Sequence, residues 1–236
     1  MFDTARRDGV TEFASPGTRW LATGPGGGFS EADTAYNVTV PEGFDREDLD
    51  SYARERRRAA GFDGDGPTLL TGVAQRHARG VRSGPVVAYA TAGLSNPATL
   101  PIGDDGTDSP PRIDDRRPGT VNTVVGTTRS LSDGAMATLL STVVEAKTAT
   151  LQSAVGFTGT TSDAVVVSCR PEGETAAFAG SATPVGEAAR VCVSEAILAA
   201  LDARYDEESP PESVAAARYG VRSQAETEPL GPVKPR

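Results

Sequence analysis

Between Asp133 and Val155 the residues Met136, Leu139, Leu140, Val143, Val144, Leu151 and Val155 recur at helical spacing with no proline among them. That spacing predicts a long amphipathic helix with Ser132 or Asp133 as its cap, and such a helix must bury its apolar stripe against another layer. The partners are close in sequence: a strand at TVNTVVGTT (120–128), a second at DAVVVSC (163–169), and a final helix from Pro184 to about Tyr205. Thr183 caps that last helix, Pro184 takes its first position, and Cys192 joins Ala189, Val193 and Ala196 on the buried side.

The first half of the chain is built differently. RWLAT and AYNVTV alternate in the β manner around the glycine-rich turn GPGGGF, which predicts a hairpin. A helix is expected over Phe44–Ala60, capped by Asp45, with Leu49, Tyr52 and Ala53 inward, Arg54 to Arg58 facing water and Gly61 ending it. TLLTGVA and GPVVAYATAGL are expected to form a second hairpin across a charged connection that carries His77. Strands early and strand–helix units late point to an α+β layered domain, with an antiparallel or mixed sheet and helices packed on it. The expected boundaries are an N-terminal extension over 1–18, the domain over 19–205 with an exposed acidic loop at 101–118, and a disordered tail over 206–236.

Composition narrows the function. The net charge is −9, from 32 acidic and 23 basic residues, which disfavours nucleic acid or an anionic membrane as partner. Lys147 and Lys234 are the two lysines and the other cations are arginines, a balance expected of a protein kept hydrated in concentrated salt. Cys169 and Cys192 have no zinc-ligand spacing and are expected as buried thiols, with no protein-bound metal. The first thirty residues hold no apolar run resembling a signal peptide, so a cytoplasmic protein is expected.

Several polar residues sit where burial would be costly without a purpose. Lys147 lies within the apolar stripe between Val143 and Leu151, so either its stem snorkels past the core edge or its ammonium reaches a carboxylate or a ligand. Glu145 faces another side of that helix. Asp163 stands at the mouth of a strand, either presented to a pocket or capping the turn with Thr161 and Ser162. Asn122 is an amide between apolar neighbours and must find partners. Gly26, Gly27 and Gly28 either shape a tight turn or let backbone approach a large ligand, and they lack the continuation of a phosphate-binding loop. Ser95 and Asn96 end a predicted strand, as ligand contacts or as turn formers.

Taken in order, TRWLATGPGGGF, YNVTVPEGFD, TAGLSNP, GTVNTVVGTT, LSDGAMATLLSTVVEAKTATLQ, TGTTSDAVVVSC and FAGSATPVGEAARVCVSEAI resemble successive motifs of the adenosylcobinamide amidohydrolases across most of Arg19 to Tyr205. The resemblance implies hydrolysis of the amide joining aminopropanol to the corrin ring of adenosylcobinamide, giving adenosylcobyric acid for coenzyme B12 salvage, in a haloarchaeal-type member. It implies a small-molecule corrinoid partner and no cofactor, the cobalt belonging to the substrate. Amide hydrolysis needs an activated nucleophile and a donor for the carbonyl oxygen. Asp163 or Glu145 is the candidate to activate water, Lys147 or Asn122 to stabilise the oxyanion, and Gly26, Gly27, Gly28, Asn37, Ser95 and Asn96 to line the cleft. Two other readings stay open: a non-catalytic corrinoid-binding protein, and a self-processing hydrolase that frees Thr120 or Thr160 as its N-terminal residue. Oligomeric state is left open.

Overall fold

The computed structural model describes residues 1–100, 119–223, 225 and 227–232; the acidic segment 101–118 lies outside the described residues. The elements run β1 (Asp3–Arg7), β2 (Val10–Ala22), β3 (Gly28–Thr39), α1 (Leu49–Ala59), β4 (Thr68–Thr71), β5 (Arg79–Ser83), β6 (Val86–Ala92), β7 (Pro97–Thr99), β8 (Val121–Thr127), α2 (Asp133–Val155), β9 (Gly159–Thr160), β10 (Ala164–Cys169), α3 (Pro184–Arg204) and β11 (Val221–Arg222). The main sheet has the order β4-β3-β2-β10-β8-β6-β5, with β1 also paired to β2, and β11-β7-β9 form a small second sheet. β8 and β10 are parallel, as are β3 and β4, so the main sheet is mixed and the fold is α+β.

Helices α2 and α3 cover one face of β6, β8 and β10. Met136, Leu139, Val143 and Leu151 from α2 meet Cys192, Val193, Ala196 and Ile197 from α3 over Ala88, Ala90, Val125, Val165 and Val167. The Ser132 side chain accepts from Ala135 N–H, and the Thr183 side chain accepts from Gly186 N–H, so both caps match the sequence. Gly156 ends α2 in the left-handed conformation at φ 75°. The thiols of Cys169 and Cys192 are buried and free, and burial pushes both above their ordinary pKa.

The opposite face is closed by the sheet itself. β2 and β3 pair from Val10↔Val38 to Ala14↔Thr34 and resume at Thr18↔Ala32, so Ser15, Pro16 and Gly17 bulge out. Gly17 takes φ 64°, and its N–H donates to the Asp33 carboxylate at 2.8 Å. A bulge increases local twist and bends its strand. Here the bend carries the outer parts of β2, β3 and β4 back over the sheet until β4 meets β8. The Thr120 hydroxyl donates to that of Thr71, and the Asn122 amide donates to Leu70 O at 2.9 Å. Phe13, Trp20, Ala35, Leu69, Val124 and Val166 fill the curl.

Four expectations change. Residues 1–18 are not an extension: they supply β1 and over half of β2, Val10 and Phe13 are core residues, and Phe2 stacks on Trp20 at 5.7 Å between ring centres. TLLT and GPVVAYATA do not form a hairpin, since β4 lies beside β3 while β6 turns back onto β5 through Gly84. Helix α1 starts at Leu49, because Asp48 rather than Asp45 accepts from the Ser51 N–H at 2.9 Å. The segment after Tyr205 is not without structure: Tyr219 N–H donates to Ser95 O at 3.0 Å, and Val221–Arg222 add a parallel strand to β7.

Arg57, expected to face water, is 5% exposed. Its guanidinium donates to Gly66 O at 2.8 Å, to the Thr68 hydroxyl at 3.0 Å and to Asp65 at 3.1 Å, with the Tyr36 ring 4.9 Å away. It thereby joins α1 to β3 and β4. Arg57→Met should cost about 3 kcal/mol in denaturant unfolding, since it strips three acceptors of a charged donor. Burial raises the Tyr36 hydroxyl from 10.0 to about 12, so its stabilisation is complete below pH 10 and is lost as pH rises through 12. Tyr36→Phe should flatten that part of the stability profile, measured by melting at stepped pH.

Candidate active site

Asp163 stands immediately before β10, and its carboxylate gathers four donors. Oδ1 accepts from Val121 N–H at 2.8 Å and from the Thr160 hydroxyl; Oδ2 accepts from Thr160 N–H at 3.1 Å and from the Lys147 ammonium. The side chains of Lys147 and Asp163 are 8% and 10% exposed, so this ion pair is sealed from bulk water. Lys147 keeps its place in the apolar stripe of α2 because its stem packs there and its head ends on Asp163. Gly159 makes room for the pair: a Cβ there would lie 2.6 Å from Asp163 Oδ2 and 3.3 Å from Lys147 Nζ.

Two loops close around this carboxylate. Asn96, after β6, donates its side-chain amide to the Thr161 hydroxyl, while its carbonyl accepts from Thr161 N–H at 3.2 Å. Ser162 donates to Gly119 O at 3.3 Å, and a Cβ at Gly119 would meet Ser95 Oγ at 2.4 Å and Asn96 Oδ1 at 2.3 Å. Next to Val121, Asn122 points into the curl and donates to Asn37 Oδ1 at 3.0 Å, and Asn37 donates to the Thr91 hydroxyl at 3.1 Å. Among the described residues, the buried oxygens Asn96 Oδ1 and Asn122 Oδ1 accept no hydrogen bond. Buried amide oxygens are normally satisfied, so these two represent unused acceptor capacity, one at the Thr161 loop and one within the curl.

The glycine turn lies at the same end of β10. Thr23 N–H donates to Val165 O at 2.9 Å and Val165 N–H to Thr23 Oγ1 at 2.9 Å, two residues beyond Asp163. Gly26 and Gly28 adopt φ 60° and 112°, and a Cβ at Gly27 would strike Ala22 O at 2.5 Å, so the glycines are required by the turn. Their outer surface is exposed.

Of the residues singled out in the sequence, Lys147 and Asp163 pair directly, Asn96 joins their loop through Thr161 with Ser95 beside it at Gly119, and Asn37 and Asn122 bond each other within the curl, on the other face of β8. Glu145 does not join them. It is largely exposed and pairs with Arg190 of α3 on the outer surface. His77 lies in a short 3-10 turn, with Nδ1 against Ala203 O near the end of α3. Thr160, the hydroxyl on Asp163, entered the sequence reading only as one of two self-processing points and not as the partner of Asp163; the signal for that partnership is the three-residue spacing in GTTSD, the reach of a side-chain-capped turn.

A curled mixed sheet under two helices, with a buried ammonium–carboxylate pair at the strand ends, has the makings of an α+β enzyme. The family model described as CbiZ, adenosylcobinamide amidohydrolase, matches residues 2–209, and the chain belongs to this family. A relative named adenosylcobinamide amidohydrolase, from the halophilic archaeon Halobacterium salinarum, is 52% identical over 230 residues, 96% of this chain and 97% of the relative. The crystal structure of the PH0078 protein from Pyrococcus horikoshii OT3 aligns over 84% of this chain and 78% of its own, at a TM-score of 0.42 and 13% identity. Among the described residues, no helix is long and apolar enough to cross a membrane.

Removing one member of a buried pair leaves the other charge uncompensated. Lys147→Met should therefore destabilise the fold by roughly 3–5 kcal/mol in denaturant titration. Glu145→Gln, which breaks an exposed pair, should change it by under about 1 kcal/mol.

Proposed function

We propose that this chain hydrolyses the amide joining aminopropanol to the corrin ring of adenosylcobinamide, releasing aminopropanol and adenosylcobyric acid, as a cytoplasmic step of corrinoid salvage. The observation that carries this reading is the 52% identity over 96% of the chain to a relative bearing that name. The site chemistry agrees with it. Asp163 engages one of the three N–H groups of Lys147 and holds the ammonium at a fixed point. Its remaining donors serve the amide oxygen as negative charge develops there, in surroundings that screen poorly.

The substrate is broad and carries many peripheral carboxamides, which pair well with side-chain amides. Asn96 and Asn122 offer oxygens without partners, Asn37 and Ser95 stand beside them, and the exposed turn at Gly26, Gly27 and Gly28 borders the approach. Cobalt enters and leaves with the corrin. Glu145 is left out of this reading, because its carboxylate is held by Arg190 on the outer surface.

Incubating the purified chain with adenosylcobinamide should release aminopropanol in step with adenosylcobyric acid, followed by chromatography of both products. Binding of the corrinoid without release would identify a carrier instead. Glu145→Ala should keep kcat within a few-fold of wild type, whereas Lys147→Met should lose at least about a hundred-fold, the scale of one oxyanion donor.

A further inference from the structure

Water activation by Asp163 meets a geometric obstacle. A carboxylate has about four lone-pair directions, and on Asp163 they are filled by Val121 N–H, Thr160 N–H, Thr160 Oγ1 and Lys147 Nζ. A nucleophilic water has no place left on it. Thr160 Oγ1 already occupies the position such a water would take.

We propose that the Thr160 hydroxyl is the nucleophile, with Asp163 as its base and Lys147 as the fixed charge that orients Asp163 and stabilises the oxyanion. This rests on the amide-hydrolysis reading above. A nucleophilic hydroxyl needs a base within hydrogen-bond reach and a third group to orient that base. Thr160, Asp163 and Lys147 stand in that order, joined by consecutive hydrogen bonds. The main chain fixes the hydroxyl, because Thr160 N–H also donates to Asp163 and Thr160 pairs with Pro97 in the small sheet. Gly159 holds the ammonium against the peptide just before the nucleophile, where a Cβ would lie 3.3 Å from Nζ. The neighbouring hydroxyls are otherwise engaged, Thr161 by the Asn96 amide and Ser162 by Gly119 O.

The chemistry balances in two halves. In the first, Thr160 Oγ bonds to the amide carbon, its proton moves to Asp163 and on to the nitrogen, and the C–N bond breaks to release aminopropanol. In the second, water attacks the resulting ester, its proton passes through Asp163 to Thr160 Oγ, and the corrinoid leaves as the carboxylic acid. Lys147 remains charged throughout. No chain cleavage is needed, which separates this role from an N-terminal threonine.

The test uses the full-length chain with adenosylcobinamide. Thr160→Val preserves shape and removes the hydroxyl, and should lower kcat by at least about a thousand-fold while Thr160→Ser keeps readily measurable turnover. Wild type quenched in acid during turnover should carry the corrinoid acyl mass on the peptide containing Thr160, and added hydroxylamine should divert product to the hydroxamate. A folded Thr160→Val enzyme with kcat within about tenfold of wild type overturns the proposal. So does a wild type that turns over without adduct or hydroxamate, even where Thr160→Val is inactive or fails to fold, since Thr160 would then only position Asp163. Wild type that releases no aminopropanol instead overturns the amide-hydrolysis reading itself.

Discussion

Everything around the Lys147–Asp163 pair hangs on one carboxylate. Asp163 binds the first amide of β8, the hydroxyl and amide of Thr160 in β9, and the ammonium of α2, while its own backbone leads into β10. Four separate elements are thus registered against one another through two oxygens. A charged acceptor with several donors is among the stronger polar interactions available, and in a site this enclosed an unpaired donor would be expensive. The arrangement is consequently all-or-none, which is how a functional constellation is held to sub-ångström tolerance.

The second organising device is the bulge at Ser15, Pro16 and Gly17. By bending β2 it lets one sheet serve as both floor and roof, so that the chain needs helices on only one face. The two layers meet through side chains that hydrogen-bond across the gap: Thr71 with Thr120, Asn37 with Asn122 and Thr91, and Gln75 with Thr11 and Thr39. Such partners set the register of the curl more sharply than apolar contact does, because a slipped strand would strand buried amides.

What the sequence revealed follows the range of the interactions involved. α2 and α3 were legible to their capping residues, because caps and helical periodicity are local. The hairpin around GPGGGF was legible for the same reason. β1 and the start of β2 were not, since the long strand has its bulge at the point where alternation would be counted and its partner β10 lies far along the chain. Neither was the position of β4, whose parallel neighbour is chosen across the whole of α1. For the site, the cost of burying Lys147 called for a snorkelling stem, a carboxylate or a ligand, while Asp163 stood out at the mouth of its strand and Asn122 for its apolar neighbours. Which carboxylate answered the lysine was decided by the return of the chain through β9. Glu145 was two residues from Lys147 yet belonged to the surface, a distinction made by Arg190 on another helix. Thr160 was marked only as a self-processing point beside Thr120; its place on Asp163 stayed hidden because one threonine among several in TGTTSD carries no sign of a carboxylate partner.

The contrast between Lys147–Asp163 and the outer pairs Arg190–Glu145 and Arg204–Glu208 has a bearing on how such a chain behaves in concentrated salt. Dissolved ions reduce the range of an exposed charge to roughly 3 Å at 1 M, but they barely reach a pair whose side chains are 8% and 10% exposed. Ionic strength and the field inside that pair are thereby decoupled. The exterior is free to turn acidic and trade lysine for arginine, generation by generation, while the groups proposed to react go on experiencing the same local field.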